Sequence, residues 1–267
     1  IANTPEHQAL SRQLAEQAIT LLKNEDGLLP LDRNSLRRIA VIGPNAAEMR
    51  VSGGGSSYVS PPYQVNPLDA LRSLLKEAAI DYEPGCRYEG NATTPENAQA
   101  IRRAARLAHD ADLALVFAGM PQGYETEGSD RPDMALPGPQ DKLIQAVVEA
   151  NPRTVVVLNC GAPVVMPWID SVPAALLAYY PGQEGGNAIA RILLGEVNPS
   201  GKLPVTFPKR LQDTPAFLDY PGKMEVQYGE GIFVGYRYYD ARDVDPLFPF
   251  GHGLSYTTFE YGHLQAP

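Results

Sequence analysis

The chain has 267 residues, with 22 Lys and Arg against 31 Asp and Glu, so its formal net charge at pH 7 is -9. With 44% apolar residues, a chain of this length can bury one large or two modest cores, which excludes a disordered tail. The acidic balance disfavours nucleic acid and anionic membranes as partners. No apolar run approaches the roughly 20 residues that cross a bilayer. We therefore expect neither nucleic acid nor membrane as a partner.

Few residues are suited to hold a metal or a redox group. The two cysteines, Cys86 and Cys160, permit at most one disulfide, and the four histidines are scattered without zinc-ligand spacing. We expect no cofactor and no metal. The sequon at residues 91–93 (Asn-Ala-Thr) is compatible with secretion, so an extracellular or periplasmic location is slightly favoured while the compartment stays open.

The N-terminal segment is predicted to form one long amphipathic helix over residues 5–24. Thr4 precedes Pro5, a combination typical of a capped helix start. Apolar residues then recur on one helical face, at Leu10, Leu14, Ala18 and Leu21.

Strand-like and helix-like segments alternate from residue 38 to residue 195. Apolar runs ending in Gly-containing loops predict buried strands over residues 38–44, 113–119, 154–161 and 174–182. Capped amphipathic segments predict helices over residues 67–79, 95–109, 139–150 and 184–194. The alternation predicts an α/β fold, a mostly parallel sheet with helices on both faces. Ligands then bind at the carboxyl ends of the strands.

The C-terminal region has a different composition. Half of the 14 tyrosines and most of the seven phenylalanines lie after residue 198, among Gly and Pro and without helical periodicity. We therefore divide the chain into an α/β sandwich domain, residues 1–210, and an irregular aromatic-rich extension, residues 211–267, leading toward a following domain. A region this aromatic is expected to pack against something.

An acidic loop follows the predicted strand at residues 113–119. Its carboxylates are Glu125, Glu127 and Asp130, and Arg131 comes next. Crowding and partial burial raise the proton affinity of such acids, which is how a general acid is kept protonated near neutral pH. The alternative is a solvated turn in which Asp130 and Arg131 form a structural pair.

A Gly-rich loop, residues 50–57, follows the first predicted strand and carries Ser56. Its glycines allow close backbone approach to a ligand, although a plain flexible loop explains them equally well. The pattern is neither a Walker loop nor a dinucleotide fingerprint, so phosphate binding is disfavoured. His252 receives no role, because a single His among aromatic residues is more often a packing residue.

Several motifs together resemble the second, α/β sandwich domain of glycoside hydrolase family three. They occur in the family's order over nearly the whole chain: LLKNEDGLLPL, IAVIGPNA, GGGSS, ETEGSDRPDMALPGPQ, PGQEGGNAIARILLGEVNPSGKLPVTFPK, YGEGIFVGYRYYD and LFPFGHGLSYTTFEY. The resemblance implies part of a retaining, exo-acting β-glucosidase that cleaves β-glucosidic bonds at non-reducing ends. Related members cut β-xylosides or N-acetylglucosaminides.

The resemblance also implies roles for individual residues. Glu127 matches the general acid/base, with Glu125 as the competitor in the neighbouring register, and Ser56 matches a serine near the bound sugar. In the family a preceding TIM barrel, absent from these 267 residues, supplies the nucleophilic aspartate, so the expected partners are a β-glucoside and a barrel from the same polypeptide or another chain. Without that barrel, the acid is expected to titrate normally.

Two other functions remain open on the sequence. The first is a non-catalytic carbohydrate-binding or scaffold domain, in which the Gly-rich loop and aromatic residues hold sugar without turnover. The second is a flavodoxin-like domain for a small molecule or nucleotide, which fits the strand and helix alternation but lacks a phosphate loop.

Overall fold

A computed structural model describes residues 2–222 and 224–262, and six of its strands form one sheet. The strands are β1 (Thr20–Asn24), β2 (Arg38–Ile42), β3 (Ala79–Glu83), β4 (Leu113–Gly119), β5 (Thr154–Asn159) and β6 (Ala174–Leu177), and their order in the sheet is β1-β6-β5-β4-β2-β3. The helices are α1 (Pro5–Ala18), α2 (Pro67–Leu74), α3 (Pro95–His109), α4 (Gln140–Ala150), α5 (Gly185–Leu193) and α6 (Tyr236–Arg242). Strands β2 to β6 pair in parallel, and β1 alone is antiparallel, against β6.

The sheet is covered on both faces, because alternate residues of each buried strand point to opposite sides. Ile39 and Val41 belong to one core with residues of α2 and α5, and Ala40 and Ile42 belong to a second core with residues of α3 and α4. Strands β4 and β5 are buried along their whole length. The predicted α/β fold, a mostly parallel sheet between two helical layers, is confirmed.

The predicted helix over residues 5–24 is wrong from residue 19 onward. Helix α1 ends at Ala18, and residues 20–24 form β1 at the edge of the sheet. Pairing with β6 buries Leu21 and gives the backbone polar groups partners, a gain that outweighs the weak helical pattern. The predicted apolar face of α1 is also exposed, at 52% for Leu10 and 58% for Leu14.

A second strand was missing from the sequence prediction. Residues 79–83 pair with β2 as the edge strand β3, while helix α2 stops at Leu74, short of the predicted residue 79. Strand β3 is only half-buried and carries two acids among five residues, so its sequence lacks the apolar run that marks the central strands. Helices α3, α4 and α5 lie within one residue of their predicted bounds.

The C-terminal region has little regular structure beyond α6, yet parts of it contact the sheet domain. Phe248 bridges to Phe207, and Leu254 bridges to Leu21 of β1. The Tyr256 hydroxyl donates to the backbone oxygen of Ile192 in α5 at 3.0 Å. The division at residue 210 remains a prediction. Among the residues described, no helix has the length and hydropathy needed to span a bilayer.

Candidate active site

Two neighbouring strands bring the acidic loop and the Gly-rich loop together. Because β2 and β4 are parallel neighbours, the loops that follow them leave the same edge of the sheet. The Glu127 Oε2 atom accepts a hydrogen bond from the backbone N–H of Ser56 at 2.8 Å. Two residues that came from separate motifs, 71 positions apart, are therefore in direct contact.

Glycines permit this close approach of the two loops. A Cβ atom placed on Gly55 would lie 2.3 Å from the Cβ of Glu127, and one on Gly54 would lie 2.6 Å from the Cβ of Thr126. Gly55 also has a φ of +67°, in the left-handed region that glycine adopts without strain. The triple-glycine run therefore has a definite role in packing the loops.

Glu127 is exposed and ionised in this chain. The hydrogen bonds from the side chain and backbone of Ser56 lower the pKa of Glu127 below its ordinary value, because they stabilise the carboxylate. The normal titration expected of this acid in an open loop is therefore wrong, because the bonds to Ser56 lower its pKa. A proton donor needs the opposite shift. The site as it stands holds the conjugate base.

Glu125 has a different environment. Its Oε1 atom pairs with Arg131 Nη1 at 2.7 Å, and its Oε2 atom accepts the Gly161 N–H at 2.8 Å and the Tyr180 hydroxyl. The suggested pair between Asp130 and Arg131 is therefore wrong, because Arg131 reaches back to Glu125. Asp130 instead accepts the Tyr220 hydroxyl at 2.6 Å.

Arg50 and Tyr180 are site residues that the sequence analysis missed. The Arg50 guanidinium is buried and lies 4.4 Å from the centroid of the Tyr180 ring, in a cation–π arrangement. Each follows a strand, β2 or β6, so their positions at the ligand edge are the only signal that sequence offered.

An apolar cleft of about 860 Å³ adjoins the acidic loop. Its lining includes Glu125, Thr126 and Arg131 together with C-terminal residues such as Tyr236 and Phe250. Neither Glu127 nor Ser56 lines this cleft, so it is adjacent to their contact and separate from it.

The other side chains considered in the sequence have packing roles. His252 contacts the backbone oxygen of Leu22 at 2.8 Å and stacks on Phe248. Burial raises the pKa of the Cys86 thiol to about 12 and also raises that of Cys160. Within residues 2–222 and 224–262, no group of three or more His, Cys, Asp or Glu side chains has the arrangement of a metal site.

The comparisons with known proteins agree with one another on the family. Thermostable beta-glucosidase B of Acetivibrio thermocellus is 47% identical over 264 residues, which cover 97% of this chain and 34% of that protein. The crystal structure of a beta-glucosidase from Kluyveromyces marxianus superposes with a TM-score of 0.91 at 29% identity, covering 97% of this chain and 48% of that one. The GH3 beta-glucosidase of Bifidobacterium adolescentis gives a TM-score of 0.88 at 37% identity, covering 97% of this chain and 37% of that one.

The match is to one part of longer proteins. The chain spans between a third and half of the length of these relatives. The family model described as the glycosyl hydrolase family 3 C-terminal domain matches residues 19–256. The chain therefore belongs to glycosyl hydrolase family 3, and its residues 19–256 correspond to the family's C-terminal domain.

Proposed function

We propose that this chain contributes the general acid/base of a retaining, exo-acting β-glucosidase, with Glu127 as the proton donor and Ser56 as a contact to the sugar. The observation that carries the proposal is the 2.8 Å hydrogen bond between the Ser56 N–H and Glu127 Oε2 at the carboxyl edge of the sheet. A sugar held at Ser56 would then lie beside the group that protonates its leaving oxygen.

The chemistry requires a second carboxylate from another module. In a retaining glycosidase two carboxyl groups about 5–5.5 Å apart flank the scissile bond. One attacks the anomeric carbon while the other protonates the leaving oxygen and later takes a proton from water. Glu127 supplies the second role, and we infer that a TIM barrel, from the same polypeptide or another chain, supplies the nucleophile.

The barrel would also reverse the direction in which the pKa of Glu127 is shifted. In this chain the carboxylate is exposed and stabilised by Ser56. A covering wall removes water and brings a second carboxylate close, and both effects raise the pKa of an acid. The same residue then becomes a proton donor only in the assembled site.

Exposed apolar residues support the existence of such a covering partner. Met224 is 97% exposed, Leu218 91%, Tyr228 82% and Ile232 74%, all within one stretch of the C-terminal region. Isolated exposed apolar residues are ordinary, but a run of this kind marks an interaction surface. On helix α1, Leu10 and Leu14 add a second exposed apolar patch.

The test of the acid/base role is Glu127→Gln in the enzyme that contains both modules. Turnover of cellobiose, whose leaving group needs a proton, is expected to fall by about 10²–10⁴-fold. Formation of the glycosyl-enzyme from an aryl glucoside with an acidic phenol is expected to suffer far less. An equal loss on both substrates, or no loss, would contradict the assignment.

A carbohydrate-binding or scaffold role is the competing function, because Glu127 and Ser56 face solvent in this chain. Calorimetry of the 267-residue chain with glucose and cellobiose separates the two. Tight binding without a barrel favours the binding domain, whereas the hydrolase proposal predicts little or no binding.

A further inference from the structure

The Glu125 carboxylate is fully engaged by protein donors. Arg131 holds one oxygen, and the Gly161 N–H and the Tyr180 hydroxyl hold the other. The side chain is 13% exposed, and that of Arg131 is 12% exposed. A carboxylate in this setting is suited to fixing backbone, since both oxygens are directed at donors that stay in place.

These donors come from different parts of the sheet edge. Gly161 follows β5 and Tyr180 follows β6, while Arg131 belongs to the acidic loop itself. One side chain therefore ties the acidic loop to the ends of two neighbouring strands, which are among the most buried elements of the fold.

Arg50 extends the same cluster to the Gly-rich loop. Its Nε donates to the Ser52 oxygen at 3.1 Å, its Nη1 donates to the Pro121 oxygen at 3.3 Å, and its Nη2 donates to the Glu125 backbone oxygen. The guanidinium also lies on the Tyr180 ring. Arg50 is 4% exposed, so this one cation links both loops away from solvent.

The contact between Ser56 and Glu127 lies just beyond these fixed points. Glu127 is two residues from Glu125, and Ser56 is four residues from Ser52. Both ends of the contact are exposed, and the Ser56 N–H donates to Glu127 Oε2 there at 2.8 Å. Its geometry thus depends on where the two loops are held.

We propose that Glu125 is a positioning residue: its carboxylate, held by Arg131, Tyr180 and the Gly161 N–H, places Glu127 against Ser56. The catalytic consequence rests on the proposed function, whereas the positioning itself is a property of this chain. Glu125 then serves the reaction without exchanging a proton with the substrate.

The first test reads the geometry without any activity. In Glu125→Gln of this chain, NMR of the side-chain carboxyl carbon is expected to show the Glu127 pKa rising toward its ordinary value, because the Ser56 bond is weakened. The Ser56 amide shift should lose its dependence on that titration. An unchanged or lower Glu127 pKa would overturn the proposal.

The sign of the shift makes this test specific. Removing a negative charge at residue 125, and freeing the Arg131 cation, both favour ionised Glu127 and would lower its pKa. Among the effects of this substitution, loss of the Ser56 hydrogen bond is the one that raises the pKa of Glu127. Asp130→Asn is the matched control, since it removes a charge from the same loop without touching the cluster, and a rise of equal size there would also overturn the proposal.

A milder variant covers the case in which Glu125→Gln does not fold. Tyr180→Phe removes one donor to Glu125 and keeps the aromatic ring beneath Arg50. It is expected to move the Glu127 pKa in the same direction by a smaller amount. No change in a folded Tyr180→Phe protein would count against the cluster as the positioning device.

Kinetics of the enzyme with both modules give the second readout. Glu125→Gln is expected to lower kcat/KM by about 10- to 100-fold on cellobiose and on an activated aryl glucoside alike, because a misplaced acidic loop impairs the reaction of both substrates. Added azide should not raise kcat of this variant, because its acid/base is still present. In Glu127→Ala, in contrast, azide should raise kcat on the aryl glucoside, because it attacks the glycosyl-enzyme without a base, releasing the nucleophile carboxylate and forming the glucosyl azide.

The two proposals fail in distinguishable ways. If this chain is not part of a hydrolase, no Glu127 variant alters turnover, yet the NMR coupling between residues 125 and 127 is still observed. Azide rescue of Glu125→Gln would instead identify Glu125 as the acid/base and overturn its positioning role.

Discussion

Apolar side chains are buried in the sheet but largely exposed in the segment from Phe217 to Tyr236. Strands β4 and β5 are buried throughout, whereas the segment leaves Leu218, Met224 and Tyr228 mostly in solvent. Both are rich in apolar residues. The difference shows that the sheet completes its core within this chain, while the segment leaves an apolar surface uncovered, which is the surface we propose a barrel module covers.

The largest effect is expected in the sheet. Phe117→Ala should lower the free energy of unfolding by about 3–5 kcal/mol, because Phe117 is 2% exposed in the central strand and truncation leaves a cavity. Urea denaturation measures this directly. A loss below about 1 kcal/mol would show that the sheet core tolerates the cavity and would weaken the comparison.

A smaller effect is expected where the C-terminal region meets the sheet domain. Phe248 is 9% exposed and packs on Phe207 and His252 at the border of the core. Phe248→Ala should cost about 2 kcal/mol, since this site can relax toward solvent. Urea denaturation of this variant measures the loss. A loss as large as that of Phe117→Ala would show that this border belongs to the main core.

Removal of one hydroxyl should have a smaller effect again. Tyr256→Phe loses the bond to the Ile192 oxygen and should cost about 1 kcal/mol. Burial raises the folded-state pKa of Tyr256 above the ordinary 10.0, so its contribution is present below pH 10 and is lost as the pH rises above it. The variant should therefore lose less stability than the wild type in alkaline denaturation, and parallel curves would contradict this.

The smallest effect on stability is expected in the exposed segment. Met224→Ser and Tyr228→Ser should change the free energy of unfolding of this chain by less than about 0.5 kcal/mol, because both residues are already solvated. The double variant should nevertheless weaken association with a barrel module, measured by calorimetry, whereas the polar control Lys209→Ser should not. If the double variant binds the barrel module as tightly as the wild type does, the barrel contacts a different surface.

Local sequence patterns predicted the central part of the fold well. Strand β4 and helix α3 have the bounds that periodicity assigned, because a long apolar run and a Pro-started amphipathic segment have few competing structures. The edge strands were not predictable in this way. Residues 20–24 continue a helical pattern and residues 79–83 alternate only weakly, and each becomes a strand because a neighbouring strand offers it hydrogen bonds.

The candidate site was also predictable from the sequence only in part. Glu127, Glu125 and Ser56 were identified from motifs, and the parallel sheet explains why their loops share an edge. For Arg50 and Tyr180 the sequence offered only their positions after strands and not their contact, since a buried cation on an aromatic ring depends on residues 130 positions apart. The partner of Arg131 was likewise decided by contacts that no local pattern encodes.

The sequence by itself determined the alternation of strands and helices, the acidic and Gly-rich loops and the family to which they point, because these depend on residues close together in the chain. Only the tertiary structure decided that Glu127 meets Ser56 while Glu125 is held by Arg131 and Tyr180. Two acids separated by one residue have the same local surroundings in sequence, and they acquire different chemistry from the groups that other strands bring beside them.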